Sequence, residues 1–279
     1  MSWKRWSSIA PRGRSDGYEA LYYGLMKLAV TGKGGVGKTT VCALLAKAFA
    51  EAGHRVLAID ADPNATLASC LGFPNADSIP ALNEMADLIE ERTGAKPGMP
   101  GGFFKLNPRV DDIPERLAAR HDGISLLRMG AMKNGGTGCY CSENTFLQSL
   151  VSHLFLGDQD VLIMDMEAGL EHFGRGTARG VERLLIVVEP SRQSVETAKR
   201  IRFLASDIGL TSLSVIGNKV RSEEEKDFIL QSVAPLPLIG VIPFDDALRR
   251  AEMEGRPPKA SLPAVDLETK EIMRQLAVA

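Results

Sequence analysis

The sequence predicts an α/β protein: a single-domain, mostly parallel twisted sheet with helices on both faces. Three observations predict it. Short apolar runs alternate with helical patterns along most of the 279 residues, a glycine-lysine octet joins the first run to the first helical pattern, and acidic residues close two of the runs.

The first element, Lys27 to Thr31, reads as a short buried strand. Val41, Leu44, Leu45, Ala48 and Phe49 then recur at helical spacing. Between them lies Gly32-Lys33-Gly34-Gly35-Val36-Gly37-Lys38-Thr39, with Thr40 next. Glycines let successive backbone N–H groups curl around phosphate oxygens, Lys38 supplies a point charge to the outer phosphates, and the Thr39 hydroxyl can ligate magnesium. The octet with Thr40 is therefore the predicted binding site for a nucleoside triphosphate.

Arg55 to Asp60 reads as a second buried strand, closed by the acidic segment Asp60-Ala61-Asp62-Pro63-Asn64. Residues 74–122, rich in Gly, Pro and charge with one helical stretch near Ala81 to Glu91, read as an excursion from the sheet. Strands resume at Ile124 to Leu127, Val161 to Met164, Leu184 to Val188, Leu213 to Ile216 and Leu238 to Ile242. Helical patterns separate most of them; Ile201, Leu204, Ala205 and Ile208 form one stripe, and Phe146, Leu147, Leu150, Val151 and Leu154 another, with Ser142 as its expected N-cap. The apolar run Val161 to Met164 delivers Asp165 to a strand end as a second magnesium element, and Gly169 allows backbone to approach the terminal phosphate.

Composition narrows the function. A net charge of −2 offers no basic excess for nucleic acid, and no apolar run approaches a membrane span, so the expected setting is cytoplasmic with neither partner. Residues 1–25, which hold Trp3 and Trp6 without periodicity, read as a poorly ordered extension, and residues 26–279 as the nucleotide-binding P-loop domain. Because the first strand begins at Met26, translation starting at that residue is a further expectation.

Lys33 inside the phosphate loop, Asp60 to Asn64, and Asp165 to Gly169 together resemble the deviant-Walker ATPases that include MinD, ParA, nitrogenase iron protein and arsenite ATPase. The resemblance implies an ATP-driven homodimer in which Lys33 reaches the partner's nucleotide and Asp62 orients the attacking water. Asn218 resembles the family's adenine-contacting asparagine, and Ile242-Pro243-Phe244-Asp245 the loop that borders the base, which makes Asn218 and Pro243 expected nucleotide contacts.

Four cysteines in so long a chain do not make a disulfide framework. Cys42 and Cys70 read as ordinary buried residues. Cys139-Tyr140-Cys141 is different: the pair follows Gly135, Gly136 and Gly138 and stands at a helix N-terminus, whose partial positive charge favours thiolates. Two thiolates cannot close a tetrahedral metal site, but two chains related by a two-fold axis supply four. His153 and His172 read as helix-surface and locally hydrogen-bonded residues. The Lys33 loop, Gly138 to Asn144 and Asp165 to His172 resemble the maturation ATPases of nickel carbon monoxide dehydrogenase. That resemblance implies Ni(II) or Zn(II) on Cys139 and Cys141 at a dimer interface, and the dehydrogenase apoenzyme as partner. Three rivals remain open: a MinD- or ParA-type positioning ATPase, an electron-transfer protein, and an iron–sulfur scaffold ATPase. The C-terminal helix lacks the cationic face of a membrane-targeting switch, and the Cys-x-Cys spacing differs from a scaffold's Cys-x-x-Cys.

Overall fold

The computed structural model describes residues 26–62, 64–97, 103, 105–130, 141–156, 161–167, 170, 181–258 and 262–278. β1 (Met26–Gly32) leads through the glycine-rich loop into α1 (Lys38–Glu51), and β2 (Val56–Ala61) follows. Val41, Leu44, Leu45, Ala48 and Phe49 are all buried, as their helical spacing requires. The next helices are α2 (Leu67–Leu71), α3 (Ala86–Thr93) and α4 (Ile113–Leu117), and they lead to β3 (Ala119–His121) and β4 (Ile124–Arg128). The rest of the fold is α5 (Cys141–Leu156), β5 (Val161–Met166), β6 (Arg183–Val188), α6 (Arg192–Asp207), β7 (Leu213–Val220), α7 (Glu223–Val233), β8 (Leu238–Pro243), α8 (Asp246–Met253) and α9 (Pro263–Val278).

Among the described residues the strands form one sheet in the order β3-β4-β2-β5-β1-β6-β7-β8, parallel except for β3. Alternate residues of one strand enter different cores. Leu57 and Ile59 of β2 join Leu162, Met164, Leu184 and Ile186 on one face, while Val56 and Ala58 join Ile163, Leu185 and Val187 on the other. The first face is covered by residues of α3, α5, α6 and α7, the second by residues of α1, α2 and α9. This two-sided burial explains why the strands read as continuous apolar runs rather than alternating ones.

Four expectations are corrected. Residues 74–122 return to the sheet as β3, an antiparallel edge strand of three residues, too short to show a period. The helical stretch placed near Ala81 to Glu91 is split into a 3₁₀ turn at Leu82–Glu84 and α3, because Met85 leaves helical geometry with ψ 71°. Leu204 stands 43% exposed; the buried stripe of α6 is Val195, Ala198, Ile201 and Ala205, the residues facing β6 and β1. Helix α5 begins at Cys141, so Ser142 lies inside its first turn instead of capping it. The buried stripe from Phe146 to Leu154 holds. Residues 1–25 and Cys139 lie outside the described residues. No described helix is long and apolar enough to cross a membrane.

Candidate nucleotide site

The strand order places β1 at the centre, with β5 on one side and β6 on the other. In a parallel sheet the loops at the strand C-termini gather along one edge, where ligands bind. Residues 33–37 occupy that edge above the N-terminus of α1, whose first N–H groups have no partner within the helix. Two glycines are required by their surroundings. A Cβ on Gly32 would stand 2.5 Å from the Val187 carbonyl, and Gly37, at φ 92°, has no room for one beside the Asn218 amide.

Lys38 is buried, and its Nζ donates to the Lys33 carbonyl at 3.5 Å, while the Val36 N–H reaches the same oxygen at 3.4 Å. Both donors therefore already converge on one oxygen acceptor inside the loop, the arrangement a phosphate oxygen demands. The Thr39 hydroxyl donates to Asp165 Oδ2 at 2.6 Å. Asp165 Oδ1 is buried without a hydrogen-bond partner. A hydroxyl and a carboxylate with a free oxygen form a hard donor set, so Thr39 and Asp165 fit magnesium.

Register pairs Asp165 of β5 directly with Asp60 of β2. Burial pushes Asp165 up to about 7, with Asp60 adding to the rise and Thr39 and Lys38 opposing it. Burial likewise pushes Asp60 up to about 6, against the two backbone N–H groups it accepts. Those donors are Asp62 at 3.3 Å and Leu67 at 3.0 Å, so the Asp60 carboxylate ties down both ends of the loop after β2. Asp62 is half-buried and accepts from the Asn64 N–H at 2.8 Å. Beneath the same carboxylates lies Cys42, whose thiol is raised well above its usual range by burial and by Asp165, which makes it an inert core residue.

Lys33 is half-exposed at the outer rim, 3.7 Å from Glu189 Oε1. Asn218 is not beyond its strand, as the sequence suggested, but inside it: β6 pairs with β7 as far as Gly217, and pairing with β8 carries the strand on to Val220. Its Nδ2 donates to the Val36 carbonyl at 2.8 Å, so at least one of its amide donors serves the loop. Pro243 ends β8 half-buried. Phe244 beside it carries the Arg221 guanidinium 3.7 Å from its ring centroid, and Asp245 caps α8 through the N–H groups of Ala247 and Leu248. The structure thus brings together Gly32 to Thr40, Asp165 and Asn218. Gly169 lies outside the described residues, as does Cys139; of Cys141 the structure gives the backbone position that opens α5.

Sequence reasoning missed three contributors. The sequence marks Asp60 as a strand end and as part of the Asp60-to-Asn64 segment without its clamp on the Asp62 and Leu67 N–H groups, and it does not single out Lys219 or Glu189. Lys219 donates from Nζ to the Gly35 carbonyl at 2.7 Å, and the signal available for it was its place beside an asparagine at the end of a parallel strand.

A parallel sheet, a phosphate loop carrying an extra lysine, and a magnesium-competent Thr39–Asp165 pair define a P-loop ATPase of the deviant-Walker class. The chain belongs to the CobQ/CobB/MinD/ParA nucleotide-binding family, whose domain matches residues 27–258. It is 47% identical over 233 residues to the carbon monoxide dehydrogenase accessory protein CooC of Rhodospirillum rubrum, covering 82% of this chain and 88% of that protein. It is 46% identical over 235 residues to an ATP-binding protein of Methanocaldococcus jannaschii, covering 83% of this chain and 90% of that protein. Among solved structures, a chain of the MinC:MinD cell division complex of Aquifex aeolicus matches in fold, with a TM-score of 0.65, 24% identity, and coverage of 91% of this chain and 96% of that one. The protein is an ATPase, and its sequence places it with the CooC-like members of the MinD/ParA group.

Proposed function

We propose that this ATPase is a nickel metallochaperone for carbon monoxide dehydrogenase. ATP closes a homodimer, Cys139 and Cys141 of the two subunits bind Ni(II) or Zn(II) where they meet, and hydrolysis loosens that site so that nickel passes to the apoenzyme. The carrying observation is the joint presence of a CooC-like chain and the sequence motif Cys139-Tyr140-Cys141, of which Cys141 opens α5. A thiolate in the first turn of a helix is favoured by the free N–H groups there, and soft thiolates suit both metals. The protein is expected to work in the cytoplasm without nucleic acid or membrane.

In this reading the N–H groups of residues 34–37, with Lys38, hold the phosphates, and Thr40 lies beside them. Thr39 and Asp165 would hold magnesium, which neutralises phosphate charge when bound. Asp62 orients the attacking water. Lys33 leaves Glu189 and crosses to the partner's nucleotide, so charge reaches the transition state only in the dimer. Asn218, Pro243 and Gly169 complete the nucleotide contacts.

The test measures metal content and dimerisation, with and without ATP, for the chain and for a Cys139→Ser, Cys141→Ser double variant. The expected result is nickel or zinc at about one ion per two chains, lost in the variant. Equal binding by both proteins, or a chain loaded with iron, overturns the reading. Separately, Lys33→Ala should abolish turnover while sparing much of ATP binding; unchanged turnover removes the cross-dimer role.

A further inference from the structure

We propose that Lys219 is a positioning residue for ATP: its grip on the Gly35 carbonyl orients the phosphate loop so that the Val36 N–H faces the phosphates.

Two independent observations carry the inference. Lys219 sits at φ 61°, in the left-handed region that a side chain with a Cβ adopts only at a cost. It also occupies an irregularity in the β7–β8 ladder, where Asn218 pairs with Ile242 and Val220 with Pro243, leaving Lys219 between them with no partner of its own. A bulge re-aims the side chain it carries. Lys219 is aimed at the loop: Nζ donates to the Gly35 carbonyl at 2.7 Å, and its Cε lies 3.8 Å from where a Gly37 Cβ would stand.

The neighbouring residue takes the next carbonyl, Asn218 Nδ2 holding Val36 at 2.8 Å. In a trans peptide the C=O and the following N–H point in opposite directions. Drawing the Gly35 and Val36 carbonyls toward β7 therefore turns the N–H groups of Val36 and Gly37 away from it; the Val36 N–H then rests at 3.4 Å on the Lys33 carbonyl, the oxygen that Lys38 Nζ also reaches and whose place a phosphate oxygen would take. Successive N–H groups presented in this way make an anion-binding concavity.

Lys219→Met keeps the stem and removes the donor. The expected outcome is a KM for ATP, and a dissociation constant for ADP by calorimetry, raised about tenfold, the size of one charge-assisted hydrogen bond, with kcat at saturating ATP changed less than about twofold. The thermal midpoint of the nucleotide-free protein should stay within about 1 °C of wild type. Lys219→Arg, which restores a cationic donor, should recover most of the affinity. An ATP KM for the Met variant within twofold of wild type overturns the proposal. A fall in the nucleotide-free midpoint that accounts for the lost affinity also overturns it, because the lysine would then serve stability alone.

Discussion

The loops that follow β1 and β2 leave the sheet on either side of β5, and side chains from the ends of strands hold them in opposite senses. After β1, Asn218 and Lys219 are donors that take the carbonyls of Val36 and Gly35, which leaves N–H groups for an anion. After β2, the Asp60 carboxylate is an acceptor that takes the N–H groups of Asp62 and Leu67, which leaves the Asp62 side chain as the exposed chemistry. One loop is held through its carbonyls by donors, and the other through its N–H groups by an acceptor. Each backbone is fixed by using up the hydrogen-bonding groups that the ligand does not need. Asp165 lies between them, with an unpaired oxygen and a carboxyl pushed by burial up to about 7, a buried carboxylate that costs the nucleotide-free fold stability.

Breaking the shared centre should have the largest effect. Asp165→Asn is expected to lower ATP turnover at least about a hundredfold, since it removes the charged oxygen suited to magnesium. Its stability effect has the opposite sign. Both Asp165 and Asp60 titrate above the ordinary carboxylate value of 3.8 in the folded chain. The folded state then binds more protons than the unfolded state across that interval, so the stability of the nucleotide-free protein falls as pH rises from about 4 through about 7. Asp165→Asn should flatten that fall and raise the thermal midpoint at pH 8 by several degrees. A variant midpoint below wild type at pH 8 contradicts the assignment of Asp165 as a strained, function-bound carboxylate.

The two clamps can then be separated. Asn218→Ala leaves the buried Val36 carbonyl without its donor, an expected loss of about 1–3 kcal/mol of stability, together with ATP affinity weakened about tenfold. Denaturant unfolding and calorimetry read the two effects on one preparation. A stability loss with ATP affinity intact would mean that the loop keeps its shape without the clamp. Asp60→Asn should have the smallest effect on ATP: it keeps one acceptor oxygen but turns an amide NH2 toward a backbone N–H that the lost oxygen accepted, an expected stability loss of about 1–3 kcal/mol at pH 7 that is partly offset by removal of a buried charge. The KM for ATP should stay near wild type, because this loop does not cradle phosphate. A large rise in KM would merge the two loops into one functional unit.

How far the sequence reached depended on the length of the signal. β1, β2, β4, β5, β6, β7 and β8 were visible because burial on both faces makes their apolar runs continuous, and the helices α1 and α5 because their buried stripes repeat at helical spacing. β3 has three residues, of which none is fully buried, so no pattern existed to read. The split at Met85 is a backbone event inside an apolar pattern that looks unbroken, since Leu82 and Ile89 are both core residues. Leu204 fits the helical period of its stripe and is still exposed, because the period fixes relative angles on a helix but not which way the helix faces.

The nucleotide site divides along the same line. A phosphate loop is contiguous, and its glycines and Lys38 are demanded by local geometry, so the residue string alone pointed to a chain that binds a nucleotide and to the loop proposed to cradle it. The partners of that loop come from 182 and 184 residues away along the chain, through Asn218 and Lys219. Likewise Asp60 and Asp165 become neighbours only through the pairing of β2 with β5. Hydrogen bonds across such separations are decided by sheet order and register, which no local pattern encodes. The sequence determined what the loop is for; the tertiary structure decided what holds it open.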